Sequence, residues 1–268
     1  MTVDGVRRIG LFSDVHGNLP ALDAALEDMS VAGIRERYCL GDLVGYGPDP
    51  EGVIDRIRAL GIPTVQGNYD DGVGSRRGEC GCYYATEQAR RDGAVSYVFT
   101  SDALDDEHAA WLAGLPQAIR FQDRGVRVLL AHGSPRKVNE YLLPDRTDEQ
   151  LARLAVAASA DVVCVGHVHV PYHRTMAGPA GTIHYVSSGS VGKPKDGDAR
   201  ACWVELFIGP ADDVLASTPA HAAATSAGDT ETWVALEIHR TAYDVDAVER
   251  AMLRAGLPAT LAAALRSA

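Results

Sequence analysis

This 268-residue sequence lacks long apolar runs, an excess of basic charge and an even number of cysteines. No run approaches the roughly 20 apolar residues of a membrane-spanning helix, so a membrane protein is not expected. The 36 acidic side chains outnumber the 25 basic ones, and the net charge of −11 argues against bulk nucleic-acid binding. Five cysteines are an odd number, which fits a reducing compartment. Residues 1–10 lack the apolar stretch of a signal peptide, so we expect a cytoplasmic protein.

The first half of the chain contains an alternation of strand and helix patterns. Short apolar runs predict strands at 9–12, 38–40 and 63–66, and apolar residues at helical spacing predict helices at 19–29 and 53–60. Strands that alternate with helices indicate a parallel sheet. Ligands bind beyond the carboxyl ends of the strands in such sheets, and each of these three runs ends in polar residues.

The rest of the chain predicts a hairpin, further strands on short connections and closing helices. The strands are expected at 118–121, 126–131, 161–165, 171–175, 182–186, 201–207 and 233–239, and the helices at 102–112, 245–253 and 259–265. We expect segment 70–100 to be a loop with a short helix, and segment 208–230 to be a mobile surface loop. The chain is expected to form one domain, 1–268, with a C-terminal strand-and-helix extension at about 231–268.

Residue types that ligate metals follow the predicted strands, and each group adjoins a glycine. Glycine lets the backbone turn sharply there and approach a ligand closely. The full set is Asp14, His16, Asp42, Asn68, His132, His167 and His169. Oxygen donors with imidazole nitrogens suit manganese, iron or zinc, and the absence of thiolates argues against a structural zinc site. Seven ligands exceed the need of one ion and fit two ions bridged by a carboxylate, as in phosphoryl transfer.

The order of these groups along residues 9 to about 207 resembles the motif set of the calcineurin-like metallophosphoesterases, and more narrowly their compact bacterial and archaeal phosphodiesterase branch. The motifs are Asp14-x-His16, Gly41-Asp42, Gly67-Asn68, His132-Gly133 and Gly166-His167-Val168-His169. The resemblance implies an α/β fold, a four-layer αββα sandwich of two mixed β-sheets flanked by helices. It also implies that Asp42 bridges two ions, one held by Asp14, His16 and His169 and the other by Asn68, His132 and His167.

The function that the resemblance implies is a dinuclear metal-dependent phosphoesterase, in which a hydroxide held between the ions attacks phosphorus in line. We expect two divalent ions, with manganese favoured and iron, zinc or nickel also compatible, and a small phosphate ester or nucleotide as substrate. The implied catalytic residues are Asp42, Asn68, Tyr69 and His132. A phosphodiesterase is favoured; the alternatives are a phosphomonoesterase acting on proteins or nucleotides, and a non-catalytic metal-binding scaffold.

Tyr69 departs from the resemblance, because many relatives have a histidine after the metal-binding Asn, where it resembles a general acid. A phenol holds its proton at neutral pH and gives it up reluctantly. The substitution therefore predicts a preference for esters with good leaving groups, such as aryl phosphodiesters, over alkyl monoesters. The alternative is that Tyr69 only walls the cleft.

Several weaker candidates lie near the motifs. Arg76 and Arg77 are candidates to grip a second phosphate or a nucleotide, although solvated loop charges are the favoured interpretation. Lys193 and Arg200 are weak substrate-binding candidates beside the turn at 187–194, which is expected to be structural. Loop packing is favoured for Cys80 and Cys82 over a redox switch or a soft-metal site. The sequence assigns no role to His108, His221 and His239, and favours core or surface positions for His173 and His184.

Overall fold

The computed structural model describes residues 5–219 and 223–266, which contain ten strands and nine helices; His221 lies outside these ranges. The strands are β1 (Arg7–Phe12), β2 (Glu36–Cys39), β3 (Ala118–Asp123), β4 (Val126–Ala131), β5 (Val162–Val165), β6 (Pro171–Gly178), β7 (Gly181–Ser188), β8 (Ala201–Pro210), β9 (Ala224–Ser226) and β10 (Thr232–Thr241). The helices are α1 (Leu19–Val31), α2 (Pro50–Leu60), α3 (Asn68–Gly74), α4 (Glu87–Ala103), α5 (Asp106–Ala113), α6 (Asp148–Ala157), α7 (Ala211–Ser217), α8 (Val245–Arg254) and α9 (Ala259–Ala264). Within the described ranges, no helix combines the length and apolarity needed to cross a membrane.

The strands form two mixed sheets of five strands each. The first sheet has the order β2-β1-β8-β10-β9, with β1 parallel to β2 and the other pairs antiparallel. The second has the order β3-β4-β5-β7-β6, in which β4, β5 and β7 are parallel neighbours. The carboxyl ends of β1, β2, β4 and β5 therefore carry loops at the edge where a ligand site is expected.

The two sheets pack face to face through alternate side chains of their strands. Ile9 and Leu11 of β1 share one buried cluster with Val128 of β4 and Val162 of β5. The residues between them along the strands point to the outer faces. On the outer side of the second sheet, Leu129 and residues of β5 pack against α6, while α1 and α2 join the cluster on the outer side of the first sheet. The predicted αββα sandwich is confirmed.

Three predictions of secondary structure are wrong. Segment 70–100 is not a loop with a short helix, because it holds most of α3 and the 17-residue helix α4. The buried face of α4 consists of Asp92, Gly93, Ser96, Tyr97 and Thr100. This set contains no aliphatic side chain, so the helix leaves no apolar periodicity in the sequence. Segment 208–230 contains the end of β8, α7 and β9 rather than one mobile loop. The third predicted strand, 63–66, is reduced to a bridge between Cys39 and Thr64.

The C-terminal segment packs into the molecule at two places. The strand β10 pairs with β8 along its whole length and lies between β8 and β9, inside the first sheet. The helices α8 and α9 form their own small apolar cluster, which contacts Phe99 of α4 and Tyr46. Thr260 also donates a hydrogen bond of 2.6 Å to Asp92 of α4. The segment therefore supports the loop that carries Tyr46, close to the strand ends.

A pair of imidazoles joins β6 and β7, with His184 fully buried and His173 half-buried. His184 donates through Nε2 to the Ser226 carbonyl (3.0 Å), so its Nδ1 accepts from His173 Nε2 (3.0 Å). Burial lowers the pKa of His173 to about 4 and also lowers that of His184. Both histidines thus belong to the packed strands, as the sequence favours.

This pair predicts a pH-dependent stability. Because the folded pKa of His173 lies below its unfolded value near 6.5, its contribution is intact above about pH 6.5 and decreases as pH falls toward about 4. Between pH 7.5 and pH 5, urea unfolding is expected to show that the wild type loses about 2 kcal/mol more than His173→Gln. His108→Gln is the control with the opposite sign, because Asp55 and Asp105 outweigh burial and raise the pKa of His108. Equal losses in the wild type and His173→Gln would contradict the prediction.

Candidate metal centre

The seven predicted ligands lie on loops that follow β1, β2, β4 and β5 and at the start of α3, and six of them converge in two groups. In each group the candidate ligand atoms lie within 4.8 Å of one another, and all six residues are buried. One group is Asp14, His16 and His169, and the other is Asp42, His132 and His167. Asn68 joins the second group, since its Oδ1 lies 3.2 Å from His132 Nε2.

The backbone of these loops is unusual at the ligands themselves. Five of the seven have positive φ angles, between 49° and 67°, a region that costs a non-glycine residue about 1–2 kcal/mol. They are Asp14, His16, Asp42, His167 and His169. Such conformations persist where the surrounding structure enforces them, and they cluster at functional sites.

Two glycines allow the loop that follows β2 and the loop that precedes α3 to touch. A Cβ on Gly67 would lie 2.2 Å from the backbone nitrogen of Asp42, and a Cβ on Gly41 would lie 2.6 Å from the nitrogen of Gly67. Side chains at either position would push these backbones apart. The two glycines thus bring Asp42 and Asn68 into one site.

Hydrogen bonds fix the orientation of three imidazole rings. His16 Nδ1 donates to the Val44 carbonyl (2.9 Å) and His132 Nδ1 donates to the Leu40 carbonyl (2.7 Å). His169 Nδ1 donates in the same way to the Lys193 carbonyl. A ring that donates through Nδ1 presents the lone pair of Nε2, which is the arrangement of a metal-ligating histidine with its supporting partner.

In the first group, the lone pairs of the imidazole nitrogens and of the carboxylate face one another with no proton donor between them. His16 Nε2 lies 3.2 Å from His169 Nε2, which in turn lies 3.2 Å from Asp14 Oδ1. Within the described residues, Asp14 Oδ1 and His167 Nε2 are buried without a hydrogen-bond partner. Buried acceptors that face only other acceptors are unfavourable unless a cation lies among them. The residues therefore fit divalent metal ions.

Asp42 lies between the two groups. Its Oδ1 accepts a hydrogen bond from the Tyr69 backbone nitrogen (2.8 Å), which fixes the carboxylate. Its Oδ2 lies 3.4 Å from His132 Nε2 and 3.8 Å from His16 Nε2, one imidazole from each group. A carboxylate in this position is suited to contact two ions at once.

The electrostatics of the groups favour cation binding. Burial lowers the pKa of His16 and of His167 to about 3, so both rings are neutral and their nitrogens are available. At His132 burial acts in the same direction, but the charge of Asp42 outweighs it and raises the pKa to about 10. A cation at His132 therefore displaces a proton, as metal binding generally does.

Asp70 is a supporting residue that the sequence analysis missed. Its carboxylate is fully buried and accepts hydrogen bonds from the backbone nitrogens of Asp42 (2.8 Å), Gly67 (2.9 Å) and Leu43 (2.9 Å). One side chain thus holds both loops that carry Asp42 and Asn68. The available signal was its position three residues after Gly67, the capping-box position of a helix start.

Tyr69 is buried beside the centre rather than exposed in the cleft. Its ring packs edge-on against His16, with centroids 5.5 Å apart, and its hydroxyl is buried. Burial, with the neighbouring phenols of Tyr46 and Tyr84, raises its pKa well above 10. This arrangement supports the predicted reluctance of Tyr69 to donate a proton.

Of the four weaker substrate-binding candidates, the three arginines pair with carboxylates, and the lysine lies beside the centre. Arg76 pairs with Asp106, Arg77 with Asp71 and Arg200 with Asp198. Among the described residues, no predicted ligand accepts a hydrogen bond from these three guanidinium groups. Lys193 differs, because its carbonyl supports His169 and its ammonium group lies 4.8 Å above the ring of Tyr46.

Cys80 and Cys82 form a disulfide beside Asn68, so the interpretation as simple loop packing is wrong. The Asn68 side-chain nitrogen donates to the Cys80 carbonyl (3.0 Å) and to Cys82 Sγ (3.1 Å). These bonds orient the amide so that its oxygen faces His132. The turn at 187–194 is held against the loop after β1, since the nitrogens of Val191 and Gly192 donate to the carbonyls of Ser13 and Asp14.

Comparisons with known proteins agree with this site. The model of the calcineurin-like phosphoesterase superfamily domain matches residues 8–206, which include all seven predicted ligands. An uncharacterised protein of Methanocaldococcus jannaschii is 32% identical over 208 residues, which cover 73% of this chain and 80% of that protein. A symmetrical bis(5'-nucleosyl)-tetraphosphatase of Acidovorax sp. is 27% identical over 168 residues, which cover 62% of this chain and 54% of that enzyme.

The fold matches a solved structure over nearly its whole length. The crystal structure of a metallophosphoesterase from Sphaerobacter thermophilus is 27% identical in sequence and superposes with a TM-score of 0.68. The match covers 97% of this chain and 99% of that one. It therefore extends past residue 206, where the match to the domain model ends.

Proposed function

Because this chain belongs to the calcineurin-like phosphoesterase superfamily, we propose that it is a dinuclear metal-dependent phosphodiesterase. The observation that carries the proposal is the convergence of imidazole nitrogens and carboxylate oxygens, among which Asp14 Oδ1 and His167 Nε2 are buried without a hydrogen-bond partner within the described residues. A small phosphate ester or a nucleotide is the substrate class we favour. The Acidovorax relative is named a symmetrical bis(5'-nucleosyl)-tetraphosphatase, and that name supports a nucleotide.

In this proposal Asp14, His16 and His169 would hold one ion, and Asn68, His132 and His167 would hold the other. Asp42 would serve as a ligand to both. Two divalent ions, when bound there, supply Lewis acidity that activates a water molecule and neutralises phosphate oxygens. Manganese is the ion we expect first, since mixed nitrogen and oxygen ligands suit it.

The residues of the chain itself orient the imidazole rings and restrict the leaving group. The backbone carbonyls behind His16, His132 and His169 keep each Nε2 aimed at the centre and prevent the rings from turning. Tyr69 gives up a proton to a leaving group only reluctantly, because its hydroxyl is buried and its pKa is raised well above 10. A substrate whose leaving group is a weak base thus suits the site better than an alkyl ester.

A paired-substrate assay tests the proposal. Protein loaded with manganese is expected to hydrolyse bis(p-nitrophenyl) phosphate at least about 100-fold faster than glycerol phosphate, because no general acid assists an alkoxide leaving group. p-Nitrophenyl phosphate is the matched monoester with the same leaving group. If it is hydrolysed faster than the diester, the protein is a phosphomonoesterase on the same centre. Two bound ions without turnover of any of these esters would indicate a binding role.

A further inference from the structure

Lysine is rare in this chain and is concentrated beside the metal centre. Of the 25 basic residues, 22 are arginine, and the three lysines are Lys137, Lys193 and Lys195. Two of these three flank Pro194 in the turn that packs on His169. Apart from Lys137, the chain uses arginine for its positive charge elsewhere, so the choice of lysine here points to a requirement of the site.

Both lysines are anchored to the ligand His169 through their backbones. The Lys193 carbonyl accepts the hydrogen bond from His169 Nδ1, and the Lys195 nitrogen donates to the His169 carbonyl (3.2 Å). The Lys193 ammonium lies over Tyr46, whose ring packs on His16 with centroids 4.9 Å apart. The turn therefore places the Lys193 ammonium group and the backbone of Lys195 next to the group of Asp14, His16 and His169.

Neither ammonium group is neutralised by the protein. Among the described residues, no carboxylate lies within 4.0 Å of Lys193 or Lys195, whereas the nearby Arg200 and Arg240 pair with Asp198 and Asp196. Lys193 is half-buried and Lys195 is exposed. The Asp14 and Asp42 carboxylates act electrostatically on the Lys195 ammonium group, so Lys195 lies on the side of the metal centre.

An unpaired ammonium is a compact point charge that binds phosphate oxygens. The metal ligands already account for one phosphate, so two further cations at the same edge exceed what a simple ester requires. The leaving group also finds no proton donor in Tyr69. A leaving group that departs as a phosphate anion needs charge neutralisation instead, and the two lysines supply it.

We propose that Lys193 and Lys195 bind a second phosphate, joined to the scissile phosphorus through a bridging oxygen. This inference rests on the proposed function and assigns its substrate class as compounds in which a phosphoanhydride joins two phosphates, as in the nucleoside polyphosphates. In the reaction, the oxygen of water bonds to the scissile phosphorus and the bond from that phosphorus to the bridging oxygen breaks. The electron pair leaves with the departing phosphate, which the lysines hold, and the proton of water passes to solvent.

Binding of non-hydrolysable probes tests the subsite without turnover. Manganese-loaded protein is titrated by calorimetry with methylenediphosphonate and with inorganic phosphate. The wild type is expected to bind the diphosphonate more tightly, and Lys193→Met and Lys195→Met are expected to weaken it about 10- to 100-fold while changing phosphate binding far less. Lys195→Arg retains the charge and should restore most of the affinity. Lys137→Met, which removes the third lysine, is the matched control and should behave as the wild type.

The outcomes separate this inference from the proposed function. Unchanged diphosphonate affinity in both methionine variants would overturn the proposed subsite. An equal loss of phosphate, diphosphonate and metal binding would also overturn it, because the lysines would then only shape the turn. Hydrolysis of bis(p-nitrophenyl) phosphate by the wild type needs no second phosphate. If that hydrolysis is absent, the proposed function fails, whatever the calorimetry shows.

Discussion

Asp42→Asn is expected to reduce hydrolysis of bis(p-nitrophenyl) phosphate by at least about 10³-fold and to reduce bound manganese from two ions per chain to one or none. The reason is geometric and electrostatic. Asp42 Oδ2 is the carboxylate oxygen that faces imidazoles of both groups, and the change removes its negative charge while keeping the shape. An amide at this position can face one ion through its oxygen but cannot balance the charge of two.

The measurement compares initial rates and metal content in the same preparations, after dialysis against a fixed manganese concentration. Asp102→Asn is the control, because it removes the same charge from an exposed residue at the end of α4. It should retain the wild-type rate and both ions. A retained rate in Asp42→Asn, with two ions still bound, would contradict the assignment of Asp42 as the bridging ligand.

Asp70→Asn is expected to lower the free energy of unfolding by about 3 kcal/mol, which corresponds to roughly 10 °C in Tm. The buried carboxylate of Asp70 accepts three backbone hydrogen bonds. An amide retains one acceptor oxygen and turns an NH₂ group toward a backbone N–H, which leaves at least one donor unsatisfied. Because these bonds hold the loops of Asp42 and Asn68, manganese affinity should also fall by about 10- to 100-fold.

The adjacent residue provides the control for this change. Asp71→Asn removes the same charge one position along α3, where the side chain only pairs with Arg77 at the surface. Its effect on the unfolding free energy should be within about 1 kcal/mol. Urea unfolding of metal-free protein isolates stability, and manganese titration then reports the affinity. Equal stability of the two variants would show that Asp70 does not hold the loops.

The candidate ligands could be picked out from the sequence because their signal is local. Each group of them adjoins a glycine and follows an apolar run. The order of the groups resembles the motif set of the family, and that resemblance implied the αββα fold. Residues that act through the backbone gave no such signal. Asp70 and Lys195 influence the centre by contacting main-chain atoms of other loops, and those contacts exist only after the strands have brought the loops together.

The wrong predictions have related causes. The helix α4 buries Asp92, Gly93, Ser96, Tyr97 and Thr100, so its inner face carries no apolar stripe. The segment after β8 reads as a loop by composition, yet β9 is held by pairing with β10, a partner several residues further along the chain. Composition and periodicity report what a segment prefers alone, whereas these elements depend on contacts with other segments of the chain.

The most direct test of the dinuclear centre is anomalous diffraction from crystals grown with manganese, recorded at the manganese absorption edge. The account predicts two anomalous peaks per chain, one among Asp14, His16 and His169 and the other among Asn68, His132 and His167, with Asp42 contacting both. A single peak, or peaks that lie away from these side chains in metal-saturated crystals, would contradict it.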